Sequence, residues 1–370
     1  MLQKALVLVL ALASIAVCIG CSGAASHYVY ATLPAANELA VYREDPNSGV
    51  LTQISGSPYS VGDGAHYVVL HPSGKFLYVA NPGTGGASEN DISLFTIASN
   101  GSLTEVPPRA AIGPNASQPE ILAMDPAGKY LYVANTQSSN ISVFSIDSSN
   151  GKLTQLANSP FSIGLPMLNM QLTSSGKYLY ISAASGSSGL PGWIAGFSVN
   201  AGALQRVSLT SSDGVNPYGL AIDPTGNYLY AGNTSSNSIS IFSGANTGTL
   251  QEVPQFSPFA DTYQDPVALL LDSKGQYLYV ANQVSNNVAV YSIDSSTGLP
   301  TALTTSTTTF AFGTESNPSF LALDPSGKYL FVANQGTSAG IESFGVSSGN
   351  LTSLFTYSVG NTPSSIAVLQ

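Results

Sequence analysis

Three residues of different chemical type lie at related positions in this sequence, and together they could hydrolyse a carboxylic ester. His66 lies in "GAHYVVL", Glu120 in "SQPEILA", and Arg109 in "PPRAAIG" between them. An imidazole is a natural base for activating water near neutral pH. A guanidinium can stabilise the charge that develops on a carbonyl oxygen, and a carboxylate can orient the imidazole or act as an acid. His66, Glu120 and Arg109 are therefore the candidate catalytic residues.

A purely structural interpretation of the same residues stays open. A histidine at the start of a strand is commonly only packed or solvated, and Glu120 could simply form an ion pair with Arg109. The catalytic interpretation requires a fold that brings these separate segments to one place, and the repeat pattern of the chain provides one.

One apolar segment recurs along the whole sequence. Its copies are "GKFLYVAN", "GKYLYVAN", "GKYLYISA", "GNYLYAGN", "GQYLYVAN" and "GKYLFVAN", and their glycines are 54, 48, 50, 49 and 52 residues apart. A period near 50 that is maintained over the chain indicates a repeat architecture.

Each period contains four strand signals separated by turns. In the copy from Pro119 these are "PEILAMD", "KYLYVAN", "ISVFSID" and "LTQLAN", and they change from small and apolar to polar. A sheet that runs from a buried inner edge to a solvated outer edge would have this gradient. Four strands in a repeat of this length predict the blade of a β-propeller.

The two ends of the repeat region complete one another. The segment "TPSSIAVLQ" is a first strand with nothing after it, whereas "HYVYAT", "NELAVYRED" and "GVLTQIS" are second, third and fourth strands with no first strand. Pairing them would remove an open sheet edge. The sequence therefore predicts an all-β fold over residues 26–370: a seven-bladed β-propeller with four antiparallel strands per blade, closed by the N-terminal strands and the C-terminal strand.

The starts of the seven first strands should line a central funnel. Aligning the residue after each proline-equivalent position predicts a ring composed of His66, Glu120, Met167, Tyr218, Val267, Ser319 and Ser364. His66 and Glu120 then belong to adjacent blades, with Arg109 in the connection between them.

The segments "DPSGKYL", "FSIDSSNGKLT" and "SPFSIG" resemble the seven-bladed propeller lactonase family, which includes 6-phosphogluconolactonase-type proteins and relatives of a muconate lactonising enzyme. The resemblance implies a lactone hydrolase. An anionic substrate would need a basic pocket, and the expected binding face offers mainly Arg109, so a neutral lactone is the favoured substrate. The alternative is a non-catalytic envelope lipoprotein whose propeller face binds a ligand or a protein.

Composition limits the partners. The chain has 20 acidic and 10 basic residues and a formal net charge of −10, so it lacks the basic patches that nucleic-acid binding requires. The acids of the repeated turns are expected to cap those turns, and no metal site or cofactor is predicted. We expect a monomer that binds a small lactone or sugar-like ligand.

The N-terminus reads as an export signal. Lys4 precedes an apolar stretch over residues 5–17 that is too short to span a membrane. Ile19, Gly20 and Cys21 fit a lipoprotein cleavage motif, although Cys18 stands where leucine is usual. This predicts a signal peptide over residues 1–20, lipidation of Cys21, a tether over 21–25, and a protein attached to the cell envelope by its lipid. Ordinary secretion after cleavage near Ala24 or Ala25 is the alternative.

The lipidation hypothesis predicts that Cys21→Ser moves the protein from the membrane fraction to the soluble fraction, or stalls its processing, because the thiol that carries the lipid is lost. Fractionation and immunoblotting of cells expressing each form would measure this. Cys18→Ser is the control, and an equal distribution of wild type and Cys21→Ser would favour ordinary secretion.

Overall fold

The structure of the protein is a computed structural model that describes residues 27–83, 90–186, 189–254, 257–260, 263–303, 311–314, 317–337 and 339–369. The expected signal peptide, Cys21 and the tether lie outside these residues. Within them, no helix has the length and apolar character needed to cross a membrane.

The described chain folds into strands, with a single 3-10 helix at Pro34–Ala36. The strands form seven antiparallel sheets, which we number as blades 1 to 7 along the chain. Blade 1 contains β1 (His27–Leu33), β2 (Glu38–Glu44), β3 (Leu51–Gln53) and β4 (Tyr59–Ser60). Blade 2 contains β5 (Tyr67–Leu70), β6 (Phe76–Asn81), β7 (Asp91–Ile97), β8 (Leu103–Glu105) and β9 (Ala110–Ala111). Blade 3 contains β10 (Pro119–Met124), β11 (Tyr130–Asn135), β12 (Asn140–Ile146), β13 (Leu153–Gln155) and β14 (Phe161–Ser162).

The remaining blades repeat this order. Blade 4 contains β15 (Met167–Leu172), β16 (Tyr178–Ala183), β17 (Trp193–Asn200) and β18 (Ala203–Ser211). Blade 5 contains β19 (Pro217–Ile222), β20 (Tyr228–Asn233), β21 (Ser238–Ser243), β22 (Gln251–Glu252) and β23 (Phe259–Ala260). Blade 6 contains β24 (Pro266–Leu271), β25 (Tyr277–Asn282), β26 (Asn287–Ile293), β27 (Pro300–Ala302) and β28 (Ala311–Gly313). Blade 7 contains β29 (Pro318–Leu323), β30 (Tyr329–Asn334), β31 (Gly340–Ser347) and β32 (Asn350–Ser358), and β33 (Ile366–Leu369) returns to blade 1.

The first strands form the inner ring. Each sheet runs in sequence order from its first strand outwards, and the first strands of neighbouring blades contact one another around the ring: β5, β10, β15, β19, β24, β29 and β33. This arrangement confirms the predicted seven-bladed propeller with four antiparallel strands per blade. It also brings the starts of all seven first strands to one face.

Blade 1 is closed by the two ends of the described chain, as predicted. β33 pairs antiparallel with β1, with Tyr28 opposite Leu369 and Ala31 opposite Ile366. The main chain extends the ladder, because Thr32 N–H donates to the Ser365 carbonyl at 3.1 Å. Ile366 is 3% exposed and packs with residues of blades 1 and 7, so closure also completes a hydrophobic core.

One contact between neighbouring blades recurs at all seven interfaces. An aromatic ring at the start of a second strand lies directly against a glycine in the turn before the fourth strand of the next blade, and each of these glycines has positive φ. A side-chain carbon at the glycine would overlap the ring. The pairs are Tyr28 and Gly101, Phe76 and Gly151, Tyr130 and Gly202, Tyr178 and Gly248, Tyr228 and Gly298, Tyr277 and Gly349, and Tyr329 and Gly49.

A second tyrosine in the same strand adds a hydrogen bond between blades. The buried hydroxyls of Tyr30, Tyr78 and Tyr230 donate to the carbonyls of the turn glycines Gly101, Gly151 and Gly298 at 3.2, 2.7 and 2.8 Å. The equivalent Tyr132 in blade 3 is also buried, but its hydroxyl has no hydrogen-bond partner.

This difference predicts opposite consequences for the same substitution. Tyr78→Phe leaves the Gly151 carbonyl without its donor and should lower the free energy of unfolding by about 1 kcal/mol. Tyr132→Phe removes a buried hydroxyl that makes no hydrogen bond, so it should be neutral or stabilising. Urea unfolding of both variants would measure the difference, and equal losses of stability would contradict the inter-blade hydrogen bond.

Candidate funnel site

The starts of the first strands surround a cavity of about 500 Å³ at the centre of the propeller. Its lining includes Leu220, Val267, Leu269 and Leu321, with Gln283 and Gln335 just beyond the ends of second strands. The lining thus combines aliphatic side chains with polar ones, and a concave site with convergent polar groups can bind and orient a small molecule.

Five of the seven predicted ring residues line this cavity: His66, Tyr218, Val267, Ser319 and Ser364. Met167 does not, and its predicted position in the ring is wrong by one residue. It pairs with Ala183 as Pro119 pairs with Asn135, so it occupies the proline position and is only 4% exposed. Leu168 lines the cavity in its place. Pro166 lies one residue before its strand, whereas the prolines of blades 3, 5, 6 and 7 are the first residues of theirs.

His66 is held in one orientation by its neighbours. Its Nδ1 lies 3.0 Å from the main-chain carbonyl oxygen of Glu120 in the next blade. A carbonyl can only accept, so Nδ1 carries the hydrogen and Nε2 of the neutral ring is left to accept a proton. The main chain of His66 is fixed too, since its carbonyl accepts a hydrogen bond from the Ser364 hydroxyl at 2.6 Å.

The Glu120 carboxylate forms its hydrogen bond with Thr136 and not with His66. Its Oε2 accepts a hydrogen bond from the Thr136 hydroxyl at 2.8 Å, and the carboxylate does not line the cavity. Glu120 therefore contacts His66 through its main-chain carbonyl and not through its carboxylate.

Arg109 lies away from the other two residues. Its Nε donates to Glu105 Oε1 at 2.7 Å, and it directly precedes β9, which pairs with β7. The order β5, β6, β7, β9 puts three inter-strand steps, roughly 14 Å at about 4.8 Å each, between that strand and the start of β5 near His66. The expectation that Arg109 would join His66 and Glu120 at the funnel rim is not met, because the inter-blade connection begins at the outer edge of blade 2.

Two other residues supply polar groups to the cavity. Tyr218 is 42% exposed, and desolvation, with smaller effects of the Glu120 and Asp265 carboxylates, raises the pKa of its hydroxyl. It therefore stays protonated at neutral pH and can donate a hydrogen bond. Burial also raises the pKa of Asp265, which lines the cavity just before β24.

Asp265 could have been found in the sequence. It stands before the proline that begins a first strand, as do Gln118, Asn216 and Asn317, and all four residues have positive φ. A polar residue at this position recurs because it tolerates the left-handed conformation. Asp265 is the acidic member of this set.

The cavity lining contains no lysine or arginine. His66, Tyr67, Tyr218 and Asp265 are its titratable residues. A bound anion would therefore meet one imidazole as its only potential positive charge among the lining residues.

A second cluster lies on the opposite face of the propeller. His27 Nδ1 is 3.3 Å from Glu44 Oε2 and 3.6 Å from Asp324 Oδ2, and all three residues are buried. Burial, and to a smaller extent the charges of Asp324 and Asp45, raise the pKa of Glu44 to about 8. This cluster was not predicted from the sequence.

The sequence profile of a family described as "Lactonase, 7-bladed beta-propeller" matches residues 23–168, 169–261 and 245–368. A 6-phosphogluconolactonase of Formosa agariphila is 40% identical over 88 residues, which are 24% of this chain and 23% of that protein. Another from Serratia proteamaculans is 30% identical over 95 residues, or 26% of each chain. The chain thus spans about a quarter of the length of these curated relatives in the matched regions.

Solved structures share the fold. A protein of Bacteroides fragilis named provisionally as a 6-phosphogluconolactonase superimposes with a TM-score of 0.78 at 20% identity, covering 94% of this chain and 99% of that one. The periplasmic gluconolactonase of Pseudomonas aeruginosa superimposes with a TM-score of 0.72 at 18% identity, covering 93% and 99%.

Proposed function

Because the chain belongs to the seven-bladed β-propeller lactonase family, we propose that it hydrolyses a lactone in the funnel cavity with His66 as the general base. The observation that carries this proposal is the contact between His66 Nδ1 and the Glu120 carbonyl, which leaves Nε2 of a cavity residue free to take a proton. Glu120 acts as a positioning residue through that carbonyl.

The reaction adds one water molecule to the ring ester. His66 Nε2 takes a proton from water while the water oxygen bonds to the lactone carbonyl carbon. Collapse of the tetrahedral intermediate breaks the bond between that carbon and the ring oxygen, and the imidazolium returns its proton to the departing alkoxide. The product is an open-chain hydroxy acid, and His66 is neutral again.

Tyr218 is the candidate donor to the developing oxyanion. Its hydroxyl is protonated at neutral pH, for the reasons given above, and it lines the same cavity as His66. The serine and threonine hydroxyls of the lining are engaged with the main chain: Ser319 donates to the Ala333 carbonyl at 3.3 Å, Thr234 to that of Asn216 at 3.2 Å and Ser364 to that of His66. A fixed donor aimed at the oxyanion commonly contributes a factor of 10² to 10³ in rate.

The substrate we propose is a neutral lactone. A phosphate would enter a cavity that has Asp265 in its lining but no lysine or arginine. Placing an anion there without a partner is costly.

The proposal includes export of the protein and lipidation of Cys21. Both concern residues outside the described structure. A neutral lactone is compatible with an envelope location, whereas a phosphorylated sugar lactone is a cytoplasmic metabolite. The alternative function is a non-catalytic binding platform at the same funnel. The absence of a nucleic-acid partner and the monomeric state stay predictions.

The base assignment predicts that His66→Ala lowers the turnover of a lactone by roughly 10² to 10⁴, because the group that activates water is lost. The purified proteins would be incubated with a panel of neutral lactones. The rate of hydrolysis would be measured as the rate of acid release at constant pH. Lys129→Ala, an exposed change on the opposite face, is the control for handling and folding.

Arg109→Ala tests the earlier interpretation directly. Since Arg109 is bound to Glu105 outside the cavity, turnover should change by less than about threefold.

Wild-type turnover by His66→Ala would eliminate His66 as the base. Absence of turnover in the wild type together with saturable binding would favour the binding platform.

The charge of the lining predicts substrate preference. Between a neutral aldonolactone and its phosphorylated form, kcat/KM should be higher for the neutral compound by at least about tenfold, which corresponds to about 1.4 kcal/mol. Replacing Asp265 with Asn should narrow the difference by removing the negative charge of the lining. A preference for the phosphorylated lactone would contradict the proposal.

A further inference from the structure

The buried cluster of His27, Glu44 and Asp324 joins blade 1 to blade 7. His27 begins β1 and Glu44 ends β2, whereas Asp324 directly follows β29. The funnel lies at the other ends of these strands. The exposed fractions are 6% for His27, 0% for Glu44 and 3% for Asp324.

Glu44 departs from the repeat at an apolar position. Glu44 lies opposite His27 in the strand register. The equivalent residue in blade 3 is Ile146, whose main-chain N–H donates to the Lys129 carbonyl at 2.9 Å. The other blades have apolar residues or glycine at this position: Ile97, Ile146, Val199, Gly244, Ile293 and Val346. An aliphatic residue would fit here, and a buried carboxylate is costly without a compensating partner.

Neither His27 nor Glu44 has its hydrogen-bonding capacity met. His27 Nδ1 and both carboxylate oxygens of Glu44 are buried without a hydrogen bond. Asp324 differs, because it also caps its turn by accepting from the Tyr329 main-chain N–H at 2.7 Å and the Ser326 main-chain N–H at 2.9 Å. The cluster thus brings two carboxyl groups and one imidazole together in a buried place, with three of their polar atoms lacking a hydrogen bond.

We propose that His27 Nδ1, the Glu44 carboxylate and the Asp324 carboxylate bind one divalent transition-metal ion of the zinc class. Bonds of about 2.0–2.2 Å at tetrahedral angles place two ligand atoms about 3.3–3.6 Å apart. The two separations from His27 Nδ1 in the structure, 3.3 Å to Glu44 Oε2 and 3.6 Å to Asp324 Oδ2, match this spacing. All three ligand atoms lie within 4.8 Å of one another.

The ligand set distinguishes between ions. Calcium takes six to eight oxygen ligands and magnesium prefers octahedral oxygen. One imidazole nitrogen with two carboxylates is a suitable set for zinc, with a fourth position left for water or the second Glu44 oxygen.

Such an ion would cross-link the blade that closes the ring. Two ligands come from blade 1 and the third from blade 7, next to the blade that β33 completes. Binding to the folded state alone would stabilise it. The ion lies on the face opposite the proposed active site, so its role would be structural.

The test uses the full chain in a Cys18→Ser, Cys21→Ser background, so that N-terminal thiolates cannot account for binding. After treatment with a chelator, the protein is titrated with Zn²⁺, Mg²⁺ and Ca²⁺ by calorimetry, and the melting temperature is followed. We expect one equivalent of Zn²⁺ to bind and raise the melting temperature, with no comparable effect of the other two ions.

Glu44→Ile restores the residue type of the other blades and should fold, yet its zinc affinity should fall at least about 100-fold. His27→Ala should have the same effect on affinity. The matched control is Glu252→Gln, which removes a carboxylate adjacent to Asp213 and should leave the zinc affinity unchanged. Failure of the parent protein to bind one equivalent of Zn²⁺, or wild-type affinity in both Glu44→Ile and His27→Ala, would overturn the proposal.

Discussion

The contact of an aromatic ring with a turn glycine of the next blade is the interaction on which this propeller depends. It occurs at every interface, from Tyr28 and Gly101 to Tyr329 and Gly49. A four-stranded sheet cannot bury both faces by itself, and stacking neighbours provides the missing contacts. Because the glycine lacks a side chain, the ring reaches the neighbouring main chain, and the spacing of the blades is set there. Buried tyrosines such as Tyr30 and Tyr78 add directional hydrogen bonds from their hydroxyls to the same turns.

The funnel follows from that spacing. Once the second strands are stacked, the first strands converge, and the residues at their starts face one cavity. The side chains at these starts differ between blades, whereas the ring–glycine contact is the same at all seven interfaces. His66, Leu168, Tyr218 and Val267 illustrate the range of side chains that one repeated position accepts. The chemistry of the site therefore varies with little effect on the fold that carries it.

The features of the fold that repeat along the chain were predicted correctly from the sequence. The predictions were wrong at positions where the repeat is irregular. Blade number, strand order and closure follow from six copies of one segment and a seventh repeat that is split between the two ends, and most ring positions follow from the same repeat. Met167 was misplaced because Pro166 is offset by one residue from the prolines of the other blades. Arg109 was misplaced because it lies in a connection that begins at the outer edge of blade 2, where β9 pairs with β7, and the repeat does not reveal the path of that connection. The orientation of His66 towards a carbonyl and of the Glu120 carboxylate towards Thr136 depends on local geometry that composition cannot reveal. His27 and Glu44 were visible as departures from the repeat, but their meeting with Asp324 required the ring to be closed.

The closing pair of strands has a consequence for biosynthesis. Tyr28 and Leu369 are partners in the same ladder, so β1 emerges from the ribosome long before the strand that covers its edge has been made. Blades 2 to 7 can stack as they appear, because the strands of each are consecutive in the chain. Blade 1 must wait with a bare main-chain edge for nearly the whole of translation, and such edges invite pairing with other chains. The nascent protein is therefore exposed to misassociation at β1 until β33 has been made.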